Sequence, residues 1–160
     1  MAPELVDRVT FIEGHARPKG SLEPQIVRGG GGRPTGQVRM VESSTDGPRW
    51  RRTIAKHVEP LGWAQLDGPC VVQAVFWFDP ASVGWRSEEL SRDDHPTHPH
   101  IGDLDKLVRN VLDALEDAGV YANDRQVVGF GYTGKHWALT HLGEKAGLSL
   151  AVWPVGKVTP

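Results

Sequence analysis

The chain has 160 residues, a formal net charge of −2, 39% hydrophobic residues and 24% charged residues. That is the length of one domain, long enough to bury a core unaided, with the composition of a globular chain. Several classes are excluded: no apolar run is long enough to span a membrane, and the opening "MAPELVDRV" lacks the apolar segment of a secretory signal. Cys70 is the only cysteine, so neither an intrachain disulfide nor a thiolate zinc site can be built, and its place at the head of an apolar run reads as a core thiol.

The charge is unevenly spread. From Arg17 to Lys56 there are nine Lys or Arg against three acids; from Leu61 onward there are eight bases against thirteen acids. The asymmetry points to a basic surface for a polyanion and an acidic cluster with another task. The basic side chains offered to such a polyanion are Arg17, Lys19, Arg28 and Arg33, with Lys106 further along.

In chain order, "RVTFIEG" reads as a short strand. Residues 15–36, rich in Gly and Pro and containing "GGGG", read as a flexible basic loop. "QVRMVES" alternates and reads as a second strand, an antiparallel partner of the first across a long basic tip. "STDGPRWRRTIAKHVEPLG" predicts a helix, capped by Ser44, Thr45 or Asp46, with Trp50, Ile54 and either Val58 or Leu61 on its apolar stripe. "PCVVQAVFWFD" is nearly continuous in β-formers and predicts a central strand covered on both faces. Residues 79–102 read as a second long loop. Leu104, Leu107, Val108, Val111, Leu112 and Leu115 then mark an amphipathic helix that Gly119 ends. "QVVGFGYTG" and "GLSLAVWPV" close the chain as strands. The order predicts a single α+β domain, residues 1–160, with one mixed or antiparallel sheet of about four to five strands and two main helices.

The chemistry concentrates in "HPTHPHIGDLDKLVRNVLDALEDAGVYANDRQV", His95 to Val127. Asp103 and Asp105 open the second helix, where carboxylates are favoured, and Asp103 alone would serve as a plain N-cap. A helix of about 20 Å followed by an extended return of equal length would bring Asp124 back beside them. Three converging carboxylates need a cation, and oxygen ligands suit Mg²⁺ or Mn²⁺. Arg109 lies one turn after Asp105. It reads equally as an i,i+4 ion-pair partner or as a cation for a phosphate in the transition state.

These residues resemble the signature of the RusA-type Holliday junction resolvases, found in bacteria and their phages. That pattern runs Asp-x-Asp-Asn-Leu-x-Lys-x-x-Leu-Asp-Ala-Leu, a spacer, then Asp-Asp-x-Gln-Val. Asp103, Asp105, Leu107, Leu112, Asp113, Ala114, Leu115, Asp124, Gln126 and Val127 stand in matching places, and "FIEGHARPKGS" is similar to the family's opening. The resemblance implies a homodimeric, magnesium-dependent endonuclease of the bacterial cytoplasm, cell- or phage-encoded, that cuts branched DNA. It also implies metal binding by Asp103, Asp105 and Asp124 and a catalytic cation at Arg109. Three positions depart from the pattern: Lys106 stands for Asn, Arg109 for Lys and Asn123 for the first Asp of the Asp-Asp pair. An arginine cannot donate a proton at neutral pH as a lysine can.

Two other readings follow from the residues. The departures allow a junction-binding protein that does not cleave. His95, His98 and His100, held extended by Pro96 and Pro99, allow a zinc-dependent hydrolase in which His98 and His100 share a face. Of the tryptophans Trp50, Trp77, Trp85, Trp137 and Trp153, Trp85 in its loop is the one expected to meet DNA bases.

Overall fold

Each predicted run of β-formers becomes a strand, and two further strands form where the sequence read as loop or as part of a longer strand. The computed structural model describes residues 8–156; residues 1–7, on which the reading of the leader rests, and residues 157–160 lie outside it. In order, the elements are β1 (Arg8–Glu13), β2 (Leu22–Arg28), β3 (Pro34–Glu42), α1 (Asp46–Val58), β4 (Cys70–Phe78), α2 (Leu104–Asp117), β5 (Val127–Phe130), β6 (Gly134–Trp137) and β7 (Gly147–Pro154).

One five-stranded mixed sheet carries the core, in the order β1-β7-β4-β5, with β6 also pairing β4. β7 is antiparallel to both β1 and β4, whereas β5 and β6 run parallel to β4. "QVVGFGYTG" therefore supplies two short strands that succeed one another along one side of β4. The crossover between β4 and β5 contains α2, as a parallel connection requires.

The expected hairpin between the first strand and "QVRMVES" does not form. β1 pairs instead with β7, and β3 pairs with β2, a strand inside the segment read as flexible loop. β2 and β3 make a separate two-stranded sheet. Glu23 and Pro24 leave β2 without a local strand signal; its cross-strand partner, not its own propensity, makes it a strand.

β4 is central, but helices cover only one of its faces. Cys70, Val72, Ala74, Phe76 and Phe78 are buried against α1 and α2, while Val71, Gln73 and Trp77 on the other face are half-buried. Both helices pack on the same side, with Trp50, Ile54 and Val58 of α1 and Leu107, Val111 and Leu115 of α2 in one cluster. Leu61, the alternative to Val58, is exposed. Burial pushes the Cys70 thiol above its usual range, partly offset by the Arg8 guanidinium, as befits a core thiol. Among the described residues no helix is long and apolar enough to cross a membrane.

Residues 79–102 contain three single-turn 3-10 helices and no strand. The loop is pinned where Ser87 Oγ meets His141 Nδ1 at 2.7 Å and accepts from the His141 N–H at 2.9 Å.

Candidate active site

The amino end of α2 is built on a close approach between two distant segments. Gly102 has φ +87°, and a Cβ there would meet Pro18 Cγ at 2.8 Å, so both the backbone and the space require glycine. Next to that contact the Lys19 N–H donates to the Lys106 carbonyl (3.0 Å). The "RPKG" segment is thus packed on the turn that leads into "DLDK".

Asp103 occupies the N-cap position but makes no side-chain capping bond. Its carboxylate is exposed and lies 3.6 Å from the Lys106 ammonium, a surface pair worth at most about 1 kcal/mol. Asp105, in the first turn, and Arg109 border an open groove of about 600 Å³ walled by Leu104, Val108, Leu112, Phe130 and Thr133. Asp105 and Arg109 form no ion pair with each other or with any other described residue. Of the two readings of Arg109, the intrahelical pair is therefore not the one realised, and its charge is left for another partner.

Asp124 is elsewhere. Its backbone N–H donates to Glu116 Oε2 (3.1 Å), near the carboxyl end of α2. Glu116 lies about 16 Å along the helix from Asp105 at a rise of about 1.5 Å per residue. The chain does not return before Asp124, as the sequence geometry expected; the return is β5, which follows it. Tyr121 explains the difference. Its fully buried ring and its hydroxyl, bonded to the Leu112 carbonyl at 2.8 Å, hold the turn beneath the end of α2. Burial, first, and the nearby Cys70 and carboxylates hold that phenol un-ionised, well above its usual range. Among the described residues no three His, Cys, Asp or Glu side chains lie close enough to hold a metal. The chemistry of Asp103 and Asp105 fits a hard divalent ion.

The "NDRQ" turn has a structural logic of its own. The Asn123 side chain accepts from the Arg125 N–H (3.0 Å), and Gln126 Oε1 accepts from the N–H groups of Ala122 (2.9 Å) and Asn123 (3.2 Å). Gln126 Nε2 donates to the Leu66 and Gly68 carbonyls at 2.8 and 3.0 Å. Asn caps as well as Asp does, so the departure at Asn123 keeps this turn intact.

The basic residues divide. Lys19 Nζ is 2.6 Å from Asp113 Oδ2, and Asp113 also faces Arg51 (3.7 Å), which binds Glu42 at 2.6 Å. Lys19, placed on the DNA by the sequence reading, is thus engaged in a network joining the amino-terminal segment, α1, α2 and the base of β3. Arg17 and Arg33 are exposed, and Arg28 donates to the Gly32 carbonyl at the tip of the β2–β3 hairpin. One cation escaped the sequence reading: Lys135 of β6 donates to the Gly102 carbonyl at 3.0 Å, next to Asp103. No local signal marks it, because only the pairing of β6 with β4 brings it there.

His98 and His100 stack with ring centroids 5.1 Å apart, but across the 3-10 turn Pro99–Ile101, where His98 Nδ1 accepts from the His100 N–H, rather than along the extended segment expected; Trp85, 44% exposed, packs on Trp137 and His98. Trp50 and Trp137 are core. The zinc reading gains no support, since among the described residues these histidines do not come together with enough further His, Cys, Asp or Glu side chains to hold a metal. His95 instead faces His136, whose Nε2 lies 2.7 Å from the Tyr132 hydroxyl. Burial, first, and His95 hold the His136 pKa below the usual imidazole value. A depressed folded-state pKa means the unfolded chain binds more protons, so the contribution of His136 to stability is complete above about pH 6.5 and fades as pH falls below it. Urea midpoints from pH 7.5 to 5.5 should therefore fall less for His136→Gln than for the unaltered protein. Parallel slopes would show that His136 does not report this burial.

The family model described as endodeoxyribonuclease RusA matches residues 16–143. No curated protein matches the chain.

Proposed function

The chain belongs to the RusA family of endodeoxyribonucleases, and on that premise we propose that it resolves four-way junctions in branched DNA by hydrolysing phosphodiesters, with Asp103, Asp105 and Asp124 holding Mg²⁺ or Mn²⁺. It is an enzyme of nucleic-acid hydrolysis by family. The junction substrate, the metal and the residue roles are our reading. The observation that carries it is the pair of uncapped, exposed carboxylates at the amino end of α2, beside a groove in which Arg109 has no ion-pair partner.

The separation of Asp124 from Asp105 supports a homodimeric site. Helix α2 presents Leu104, Val108 and Leu112 to the groove, with exposed Phe130 beside them, a surface suited to a second copy. In a two-fold pairing with the α2 helices antiparallel, residues near the carboxyl end of one helix meet the amino end of the other. Asp124 of the partner subunit then stands beside Asp103 and Asp105. A divalent ion bound there would lower the pKa of an attacking water and offset charge on the phosphate. Arg109 and Lys106 would face the scissile phosphate from the helix, and Lys135 would hold the turn that orients Asp103. The exposed Arg17 and Arg33, with Arg28, would follow the backbone, giving strongly salt-dependent binding. The proposed compartment is the bacterial cytoplasm, where such DNA is found.

The test incubates the protein with a labelled four-way junction and a matched linear duplex, in Mg²⁺ and in EDTA. Paired nicks confined to the junction and dependent on metal are the expected result. Tight junction binding without nicks in Mg²⁺ or Mn²⁺ would instead identify a non-cleaving binder and turn attention to Arg109.

Lys135 gives a separate prediction. Lys135→Met should slow junction nicking by about tenfold or more while junction affinity in EDTA stays within about twofold, and Lys135→Arg should recover part of the rate. Equal losses in affinity and rate would make Lys135 a DNA contact, not a positioning residue.

A further inference from the structure

The β2–β3 hairpin stands apart from the rest of the molecule. It is its own two-stranded sheet, and none of its residues belongs to the hydrophobic core. Such a ribbon is marginal in water without a covering surface. Its register pairs Leu22 with Glu42, Pro24 with Met40 and Ile26 with Val38, and directly paired residues share a face. One face of the arm is therefore apolar from Leu22 and Pro24 to Ile26, Val38 and Met40. These are not buried: Leu22 is 56% exposed, Ile26 53%, Val38 62% and Met40 57%.

Charge identifies the occupant. From Gln25 to Arg39 the arm holds three arginines and no acid. Leu22 and Met40 at its base wall a groove of about 550 Å³ shared with Arg51 and Arg52 of α1 and with Asp117 and Glu42. Glu42 is already paired with Arg51, and Arg52 has no ion-pair partner among the described residues. An apolar strip on an arm whose arginines have no carboxylate partner among the described residues, although Arg28 donates to the Gly32 carbonyl and Arg39 to Gln25 on the opposite face, suits a polyanion that also displays flat apolar surfaces. A linear duplex hides its base faces in the stack; a branch point exposes them.

Resting on the function proposed above, we propose that the β2–β3 arm is a branch-point probe. Ile26, Val38 and Met40 pack against unstacked base faces at the centre of the junction, and Arg28 and Arg33 at the tip hold the surrounding phosphates. Apolar side chains wedge between base steps in this manner in other DNA-bending proteins, with unstacking offset by the added contact. The arm thus selects branched over linear DNA, leaving the amino end of α2 to the chemistry.

The experiment compares the full chain with Ile26→Thr/Val38→Thr/Met40→Thr, which keeps β-propensity on an arm outside the core. Each protein is titrated in EDTA against a four-way junction carrying 2-aminopurine at the branch point and against linear duplex, with solution mass measured by sedimentation. Val38→Thr alone provides a milder variant. Expected for the unaltered protein is a rise in 2-aminopurine fluorescence on binding. The triple variant should lose that rise and at least about tenfold in junction affinity, with duplex affinity within about twofold and mass unchanged. Arg28→Gln/Arg33→Gln should weaken both substrates together. Unchanged junction affinity in the triple variant overturns the inference alone. A fall in mass assigns the face to a second copy and overturns it also. Failure of the unaltered protein to bind the junction overturns the proposed function, and the inference with it.

Discussion

Asp105→Asn and Asp124→Asn should each lower junction nicking by about 10³-fold or more, the scale expected when about 4 kcal/mol of charge stabilisation at the phosphate is lost. Mixing the two inactive variants should then restore about a quarter of the unaltered rate. The reason is geometric. In a two-fold dimer whose sites each take Asp105 from one chain and Asp124 from the other, a mixed dimer has one site with both changes and one with neither. Random exchange makes about half the dimers mixed, and half the sites in those are intact. If instead a single chain gathered all three aspartates, each site in a mixed dimer would carry one change, and mixing would restore nothing. The assay needs subunit exchange, checked by mass of a tagged mixture, and nick counting on a labelled junction. No recovery in a mixture shown to be exchanged would sink the shared site while leaving the metal-binding role of each aspartate standing.

Gln126→Ala should cost about 2–3 kcal/mol of stability. Gln126 closes the Asn123 capping box with its oxygen and joins the Leu66 and Gly68 carbonyls with its nitrogen. Truncation leaves two N–H groups and two carbonyls to find other partners in a partly buried place, at a net cost of roughly 1 kcal/mol for each bond not replaced. In a domain of this size that shift lowers the melting temperature by about 5–10 °C. Gln126→Glu is the informative companion. It keeps the acceptor for Ala122 and Asn123 but loses the donor to Leu66 and Gly68, so its loss separates the cap from the tether. Asp124 sits in the same turn, so nicking by Gln126→Ala should fall further than the folded fraction explains, even at a temperature where the variant is fully folded. A change below about 0.5 kcal/mol would mean that Asn123 and the Tyr121 anchor hold the turn without Gln126.

The sequence by itself determined the class, the helices and the identity of the chemistry. The stripe from Leu107 to Leu115 could bury only one face, so α2 lies where periodicity put it, and the nearly continuous β-formers of "PCVVQAVFWFD" pointed to the central strand that β4 is. The signature residues from Asp103 to Val127 were legible because their spacing follows one local element and its exit turn. Where that turn would carry Asp124 was not. The loop length permitted a return to Asp105, but the buried Tyr121 and the Gln126 bonds to Leu66 and Gly68 hold the turn at the far end of α2. Those bonds join residues about 60 positions apart, beyond any local pattern. The same reason hid β2, whose partner is β3; moved β1 to the edge beside β7; engaged Lys19 with Asp113; and set Lys135 next to Asp103. Local propensity and periodicity specify an element, whereas its partner is chosen by long-range packing and hydrogen bonding among many alternatives, and here that choice decided which charges meet and which remain without an ion-pair partner.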